Sequence, residues 1–432
     1  MPRGPSDRQL RELREGFASL PERYLGAEPG FHATYRIDVS DSNDVWGVEV
    51  DHQTCEVIKD PGEQADVEIR TDTRTWLRLR EGELSGLDAF RQHKLSAHGK
   101  LDLALAFEGL FTLPNGRPPR LEVREVEAAG KTISALSTGQ GSEAVVLLHG
   151  LGSNKSSFFE TVSALEPGHR VHAIDLPGFG SSEKPLRAPY DAPWFAESVL
   201  GAMDSLGVER AHLVGNSMGG RVAIEVGLQA PERARSLSLL APSLAWRRRR
   251  QLSPLVRFAR PELAAIPHFA PNRVVERQFW AMFARPDRIH PEMAEMACGE
   301  FVKGYRNASN RVALSSSARH IYLEEPFGPN GFWTRLADLS VPALFVWGDE
   351  DPLVPYAFAR HVREALPNAE HLLLRECGHA PQVELPEETN AALKSFIARN
   401  SSSVAPRTMA RMGRAVRGAV GSALPGSAAA TS

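Results

Sequence analysis

Cysteine is scarce in this chain: three residues in 432, far apart at Cys55, Cys298 and Cys377. An odd number of distant thiols excludes the disulfide framework of a small secreted domain and a cysteine-rich zinc cluster. This usage is typical of proteins in a reducing compartment. We therefore expect a cytoplasmic location.

Long hydrophobic runs and a strong charge imbalance are also missing. No segment approaches the roughly 20 apolar residues of a membrane-spanning helix. The first residues, MPRGPSDRQLRELREGFASL, carry charges throughout, unlike a secretory signal peptide. The net charge is −3, which argues against a nucleic-acid partner. If the protein meets a membrane, we expect peripheral contact.

The chain has the length and the apolar content, 42% of its residues, for two compact units. The stretch LPNGRPPR, which ends at Arg120, is too rich in proline and glycine for a helix or a central strand. We therefore expect a domain at residues 1–113, a linker at 114–120 and a second domain at 121–400. The remaining residues, 401–432, are small-residue-rich and carry no acidic side chain.

The first domain has the pattern of a small α+β unit. A helix is expected near residues 6–25, and four short alternating segments within residues 35–69 predict strands. The segment TDTRTWLRLREG begins with residues that cap helices and predicts a helix. Two further helices, GLDAFRQHKL and LDLALAFEGLF, flank a short LSAHG strand.

The order and spacing of residues 65–111 resemble the second half of a sterol-carrier-protein-2-like (SCP2-like) domain. In this chain His93 stands where that family usually has glycine, and Lys100 where an acidic residue is common. The resemblance implies a lipid or acyl chain bound in an apolar tunnel beside the sheet. The alternative is that the apolar side chains of LDLALAF are ordinary core.

A serine surrounded by glycines follows a short apolar run in the second domain, in the stretch HLVGNSMGG. A helical pattern follows, so Ser217 lies between a strand and a helix, where G-x-S-x-G forms a nucleophile elbow. Gly215 and Gly219 leave room for this sharp turn. A phosphate-binding loop would need a lysine after the glycines, and Arg221 is not placed as one.

A nucleophilic serine needs a base, and the base needs a carboxylate that orients it. His379 follows a glycine after a strand-like run, and GDEDPLVP follows another buried strand. We choose Asp351 as the acid because it precedes Pro355 by four residues, with Asp349 as its rival. The alternative for His379 is a structural turn histidine.

The chain order Ser217, Asp351, His379 is that of the α/β-hydrolases, and residues 121–399 resemble this superfamily. The segments HGLGSNKSSF, DLPGFGSSEKP and GNSMGG are most similar to bacterial lipases and monoacylglycerol-lipase-like enzymes. The resemblance implies a mostly parallel sheet with a helical cap. It also implies an oxyanion hole formed by the backbone N–H groups of Leu151 and Met218. No cofactor and no metal are expected.

Two related groups of enzymes fit less well. Haloalkane dehalogenases and epoxide hydrolases carry aspartate in the elbow, so Ser217 excludes them. Carbon–carbon bond hydrolases of ring-cleavage pathways share GNSMGG, but their pattern has Pro-Gly in the oxyanion loop and tryptophan after the histidine. This chain has Ser153, Asn154 and Ala380 instead. A lipid carrier with an inactive hydrolase domain is a further alternative, which the complete triad disfavours.

Two segments outside these motifs add expectations. Residues 241–339 form a long insertion that we expect to be a helical cap over an apolar acyl pocket. At its start, WRRRR (residues 246–250) is either a solvated face or a contact for anionic lipid. The tail at 401–432 is expected to be disordered, the alternative being a basic amphipathic helix on a lipid surface.

Together, these patterns predict a serine hydrolase that cleaves carboxylic esters of apolar or lipid-like molecules, with an N-terminal domain that binds or presents lipid.

Overall fold

The structure is a computed structural model that describes residues 4–42, 44–245, 253–258, 260–266 and 270–401. The WRRRR segment and the tail beyond residue 401 lie outside the described residues. Among the described helices, none has the length and apolarity needed to span a bilayer.

The N-terminal region, residues 4–113, is a five-stranded sheet with helices packed against it. The sheet order is β3-β2-β1-β4-β5, with β1 and β4 parallel and the other pairs antiparallel. The elements are α1 (Asp7–Ala18), α2 (Leu20–Arg23), β1 (His32–Val39), β2 (Asp44–Asp51), β3 (Cys55–Lys59), β4 (Val67–Thr71), α3 (Thr73–Arg80), α4 (Gly86–Arg91), β5 (Leu95–Gly99) and α5 (Leu101–Gly109).

Local sequence signals explain where these helices begin. Ser6 caps α1 in a reciprocal capping box with Gln9, and the Asp72 side chain accepts the Thr75 N–H at the start of α3. The core forms where one face of the alternating strands meets α1 and α3. There Phe17 stacks on Trp46 and Trp76, with ring centroids 4.6 and 4.5 Å apart.

The larger region, residues 121–400, contains an eight-stranded sheet in the order β13-β12-β11-β10-β8-β9-β7-β6. The first six strands in this order, which end at β9, pair in parallel. Strands β6 and β7 are antiparallel to their neighbours. The strands are β6 (Leu121–Glu127), β7 (Thr132–Thr138), β8 (Ala144–Leu148), β9 (Arg170–Ile174), β10 (Ala211–Asn216), β11 (Ala234–Leu240), β12 (Ala343–Gly348) and β13 (Glu370–Leu374).

Helices cover both faces of this sheet, which explains why β8, β10 and β12 are buried along their whole length. The covering helices are α6 (Phe159–Leu165), α7 (Ala192–Ser205), α8 (Met218–Gln229), α14 (Ala359–Ala365), α15 (Pro381–Glu384) and α16 (Pro386–Asn400). A small α+β sheet followed by a mostly parallel sheet confirms the expected fold class.

The long segment between β11 and β12 is helical where it is described. It contains α9 (Ser253–Phe258), α10 (Asn272–Trp280), α11 (Pro291–Arg306), α12 (Ala308–Leu323) and α13 (Phe332–Leu336). We call this inserted segment, residues 241–339, the cap. The cap has its own small apolar cluster, centred on Phe279 and Phe283.

Polar contacts join the N-terminal region to the larger region. The Arg91 guanidinium on α4 donates to Glu160 on α6 at 2.7 Å. Lys155 in the larger region reaches Asp102 on α5 at 2.9 Å. Residues up to Asn400 form one compact unit.

Candidate active site

Ser217 lies at the sharp turn between β10 and α8 in a strained backbone conformation, with φ 53° and ψ −115°. A Cβ atom added to Gly215 would lie 2.3 Å from the Gly219 oxygen, and one on Gly219 would lie 2.0 Å from the Leu148 oxygen. Only glycine fits at both positions, so the sequence pattern is explained by the packing of this turn.

His379 and Asp351 meet at the same end of the sheet. The Nδ1 atom of His379 lies 2.9 Å from Oδ2 of Asp351, and both residues are buried. The other carboxylate oxygen, Oδ1, accepts the N–H groups of Leu353 and Val354 at 2.7 and 2.9 Å. These bonds fix the carboxylate, which in turn orients the imidazole.

The other two acids of the GDED turn face elsewhere. Asp349 accepts the Cys377 N–H at 3.4 Å and lies 3.4 Å from the Arg375 guanidinium. Glu350 pairs with Arg285 at 2.9 Å. Of the three neighbouring acids, Asp351 is the one whose carboxylate contacts the His379 imidazole.

Asn216, the residue before the serine, ties the elbow to the histidine turn. Its buried amide donates to the backbone oxygens of His379 at 3.0 Å and of Leu240 at 3.1 Å. Both acceptors are main-chain atoms, so the amide fixes the two loops relative to Ser217. Asn216 was not among the residues predicted from the sequence, although its position directly before Ser217 was a signal.

The loop after β8 lies directly against the serine. A Cβ atom on Gly150 would be 3.3 Å from the Cβ of Ser217. His149 supports this loop: its Nε2 accepts the Leu176 N–H at 2.9 Å, so Nδ1 carries the proton and donates to the Gly150 oxygen at 2.8 Å. Burial lowers the pKa of His149, which keeps this imidazole neutral.

Leu151 follows Gly150 in this loop, and Met218 opens α8 directly after the serine. The structure thus brings both residues expected in the oxyanion hole next to the elbow. Helix N-terminal N–H groups have no partner within the helix and favour negative charge nearby.

The cap contacts each of the three segments that carry the candidate site residues. The Met282 oxygen accepts the His379 N–H at 2.8 Å. Glu300 accepts the Asn154 amide at 3.2 Å, just beyond the Gly150 loop. Glu324, at the end of α12, accepts Nε of buried Arg221 on α8 at 2.9 Å. A shift of the cap would therefore move the site.

A second feature is a cavity of about 140 Å³ in the N-terminal region, lined mostly by apolar side chains. Helix α5 forms one wall, and all nine of its residues are half-buried although most are apolar. Three residues of the larger region also line the cavity: Leu121, Phe159 and Met296. Helix α5 therefore borders open space, and its side chains Leu103 and Phe107 also pack against the core of the N-terminal region.

Charged groups also line this cavity. Within the described residues, the buried Nε atoms of Arg23 and Arg80 have no hydrogen-bond partner. Burial and the nearby Arg80 charge lower the pKa of Arg23. Glu108, on α5, accepts the Gly86 N–H at 2.7 Å, and burial raises its pKa to about 7. An apolar cavity with two arginines suits an amphiphile with an anionic head.

Comparison with known proteins identifies both parts of the chain. Residues 143–386 match the family described as alpha/beta hydrolase fold, and residues 26–112 match the SCP-2 sterol transfer family. A solved membrane phospholipase A, described as a bacterial virulence factor, is 27% identical with a TM-score of 0.53. That match covers 65% of this chain and 87% of the other.

Curated relatives of several activities are similar to the larger region. The acetyltransferase component of an acetoin cleaving system from Pseudomonas putida is 33% identical; the match covers 60% of this chain and 64% of the relative, under two thirds of its length. A 2-hydroxy-6-oxononadienedioate/2-hydroxy-6-oxononatrienedioate hydrolase from Paraburkholderia phymatum is 29% identical, over 60% and 88%. The pimeloyl-[acyl-carrier protein] methyl ester esterase of Aeromonas hydrophila is 30% identical, over 62% and 99%. The chain therefore belongs to the alpha/beta hydrolase family, with an SCP-2-type region at its N-terminal side.

Proposed function

We propose that this protein is a serine hydrolase that cleaves carboxylic esters of apolar or lipid-like molecules through an acyl-enzyme. Ser217 attacks the acyl carbonyl while His379 accepts its proton, and Asp351 stabilises the imidazolium. The N–H groups of Leu151 and Met218 bind the developing oxyanion, each contributing roughly 3 kcal/mol. His379 then protonates the leaving alcohol, and water releases the acid.

One observation carries this proposal: the strained turn that presents Ser217 is tied through the Asn216 amide to the turn of His379, whose Nδ1 is 2.9 Å from a fixed carboxylate. Backbone strain of this kind persists where the surroundings enforce it, and it clusters at reactive sites. The esterase and phospholipase among the similar proteins support ester cleavage.

Carbon–carbon bond hydrolysis is the second candidate, because one of the relatives is named as a hydrolase of 2-hydroxy-6-oxo diacids and the GNSMGG segment is shared with the ring-cleavage group. That group has Pro-Gly in the oxyanion loop and tryptophan after the histidine, where this chain has Ser153, Asn154 and Ala380. These substitutions favour ester cleavage.

A series of p-nitrophenyl esters of increasing acyl length tests the proposal, with Ser217→Ala as the matched inactive variant. We expect turnover that depends on chain length and is lost in Ser217→Ala. Turnover of a 2-hydroxy-6-oxo acid, with none of any ester, would instead favour the second candidate. Turnover of neither would favour the carrier whose hydrolase domain is inactive.

We further propose that residues 1–113 act as a lipid-binding domain, joined by a linker at 114–120 to a hydrolase domain at 121–400 with its cap at about 241–339. The half-buried apolar wall of α5 and the unpartnered Nε atoms of Arg23 and Arg80 support an amphiphile with an anionic head as ligand. A fatty acid, the acid product of the proposed reaction, has this chemistry.

Fluorescent fatty-acid binding tests this role in the full chain. Ala104, which lines the cavity, offers a filling variant, Ala104→Phe, and the double variant Arg23→Gln/Arg80→Gln removes the cationic head site. We expect weaker binding of cis-parinaric acid in both, and weaker binding of its methyl ester in Ala104→Phe alone. Equal binding by all three proteins would contradict a ligand in this cavity.

A further inference from the structure

A cluster of metal-ligand side chains lies where the N-terminal region meets the cap. His93 follows α4 in the N-terminal region, whereas His290 and Glu292 lie at the start of α11 in the cap. One ligand atom from each of the three residues lies within 4.8 Å of the others. The Nδ1 atom of His93 is 3.9 Å from a Glu292 oxygen, and the two imidazoles stack with centroids 3.4 Å apart.

His93 follows the end of helix α4 in a left-handed backbone conformation, which most side chains disfavour. Its φ is 55°, in the left-handed region that glycine adopts without strain, and the resembling family usually has glycine there. The imidazole is therefore kept at a conformational cost relative to glycine, and its ring stacks on that of His290 across the interface. Strain at an exposed ligand-type side chain points to a role for that side chain.

The surroundings favour a cation. Four further carboxylates line the adjacent depression: Glu160, Glu384, Glu387 and Glu388. The two arginines there already have carboxylate partners, Arg91 with Glu160 at 2.7 Å and Arg288 with Glu376 at 2.8 Å. Within the described residues, neither His93 nor His290 donates or accepts a side-chain hydrogen bond that a metal ion would have to displace.

We propose that His93, His290 and Glu292 bind one divalent transition-metal ion of the zinc class, which bridges the N-terminal region and the cap. Two imidazoles and one carboxylate, with water completing the coordination, suit Zn²⁺. Zinc ligands lie about 2.0–2.2 Å from the ion, so the donor atoms must close in and the stacked rings must turn. All three side chains are exposed, which leaves that movement free.

The ion would fix helix α11, which contacts both the N-terminal cavity and the loop of the candidate active site. Helix α11 contributes Met296 to the wall of the N-terminal cavity. Its Phe301 ring lies 3.3 Å from where a Cβ of Gly152 would be, in the loop that carries Leu151. A metal ion at the start of α11 would therefore hold the cap and the N-terminal region in one arrangement.

Calorimetric titration of the tag-free full chain with Zn²⁺ tests this site. The best variant is His93→Gly, which removes a ligand and also relieves the positive φ, so it does not weaken the fold. Glu292→Gln removes the carboxylate. The matched control is His32→Ala, because His32 is an exposed histidine 3.2 Å from Glu49 in a pair without a second histidine.

We expect one Zn²⁺ per chain, bound about 100-fold or more weakly in His93→Gly and in Glu292→Gln, since losing a direct ligand costs more than the 10–100-fold of an outer-sphere change. Zn²⁺ should raise the Tm of the wild type and of His32→Ala, but not that of His93→Gly. Absence of stoichiometric binding, or equal binding by His93→Gly and the wild type, would overturn the proposal. Neither readout depends on hydrolysis.

Discussion

The ammonium group of Lys155 lies 2.9 Å from Asp102 on α5 and 2.6 Å from buried Asp175 after β9. Lys155 is itself buried, four residues after Leu151. Burial acts to lower the pKa of Lys155, but the charges of Asp175 and Asp102 outweigh it and raise the pKa. Asp102 of the N-terminal region thus helps to neutralise the Lys155 ammonium group, which lies beside the proposed oxyanion loop.

Lys155→Met should destabilise the protein by about 3–5 kcal/mol, because it leaves Asp175 buried without its cation. Urea unfolding measures this change. The control is Lys303→Met, because the Lys303 side chain is largely exposed and its ion pair with Glu300 should contribute less than about 1 kcal/mol. Equal losses in the two variants would show that burial of the Lys155 network contributes nothing.

Substitution of the neighbouring acids Asp351 and Asp349 should have different effects on kcat. Asp351→Asn should lower kcat by about 10³–10⁴-fold, because the amide no longer holds the imidazole in the required tautomer. Asp349→Asn should leave kcat within about threefold, since Asp349 contacts the Cys377 backbone and Arg375 and not the imidazole. Steady-state kinetics on one ester decides between them, and a larger loss in Asp349→Asn would reassign the acid.

Asn216 is expected to act as a positioning residue. Asn216→Asp places a carboxylate against two backbone oxygens and should lower kcat by about 10²-fold through displacement of the histidine turn. Asn390 offers the matched control. It is equally buried, and its amide donates to the backbone oxygen of Glu160 at 3.2 Å, away from the site. Asn390→Asp should reduce stability and leave kcat unchanged; if both variants lose stability alone, Asn216 is merely structural.

The buried carboxyl of Glu108 should make stability depend on pH. Its pKa in the folded protein is raised to about 7, so its contribution is fully present below about pH 4.5 and is lost as the pH rises through 7. Glu108→Gln should therefore gain up to about 3 kcal/mol over the wild type at pH 8.5 and little at pH 5. Thermal unfolding at both pH values tests this, with exposed Glu63→Gln as control; a pH-independent difference would contradict it.

Local patterns in the sequence predicted most of the elements and the candidate site. The apolar runs at β8, β10 and β12 are short, continuous and bounded by glycine, so their burial in a parallel sheet follows from pattern alone. The position of Ser217 in a sharp turn also follows from the pattern, because the neighbouring Gly215 and Gly219 are typical of that turn. Asp351 was chosen over Asp349 by spacing, and the structure places its carboxylate on the imidazole.

Contacts between distant segments were beyond the reach of the sequence. Lys155 and Asp102 lie 53 positions apart, and nothing in the local sequence around either residue marks the other as its partner. His93 and His290 meet only because the N-terminal region packs on the cap. Helix α5 was ambiguous for a related reason: apolar side chains that line a cavity and those that fill a core have the same composition.

Covalent trapping tests whether Ser217 is the nucleophile of a serine hydrolase. The native chain is treated with diethyl p-nitrophenyl phosphate, and released p-nitrophenolate and the mass of the protein are measured together. We expect one equivalent of each, with the diethylphosphoryl group on Ser217 and no adduct in Ser217→Ala. An adduct at another residue, or none in the native chain, would contradict this role of Ser217.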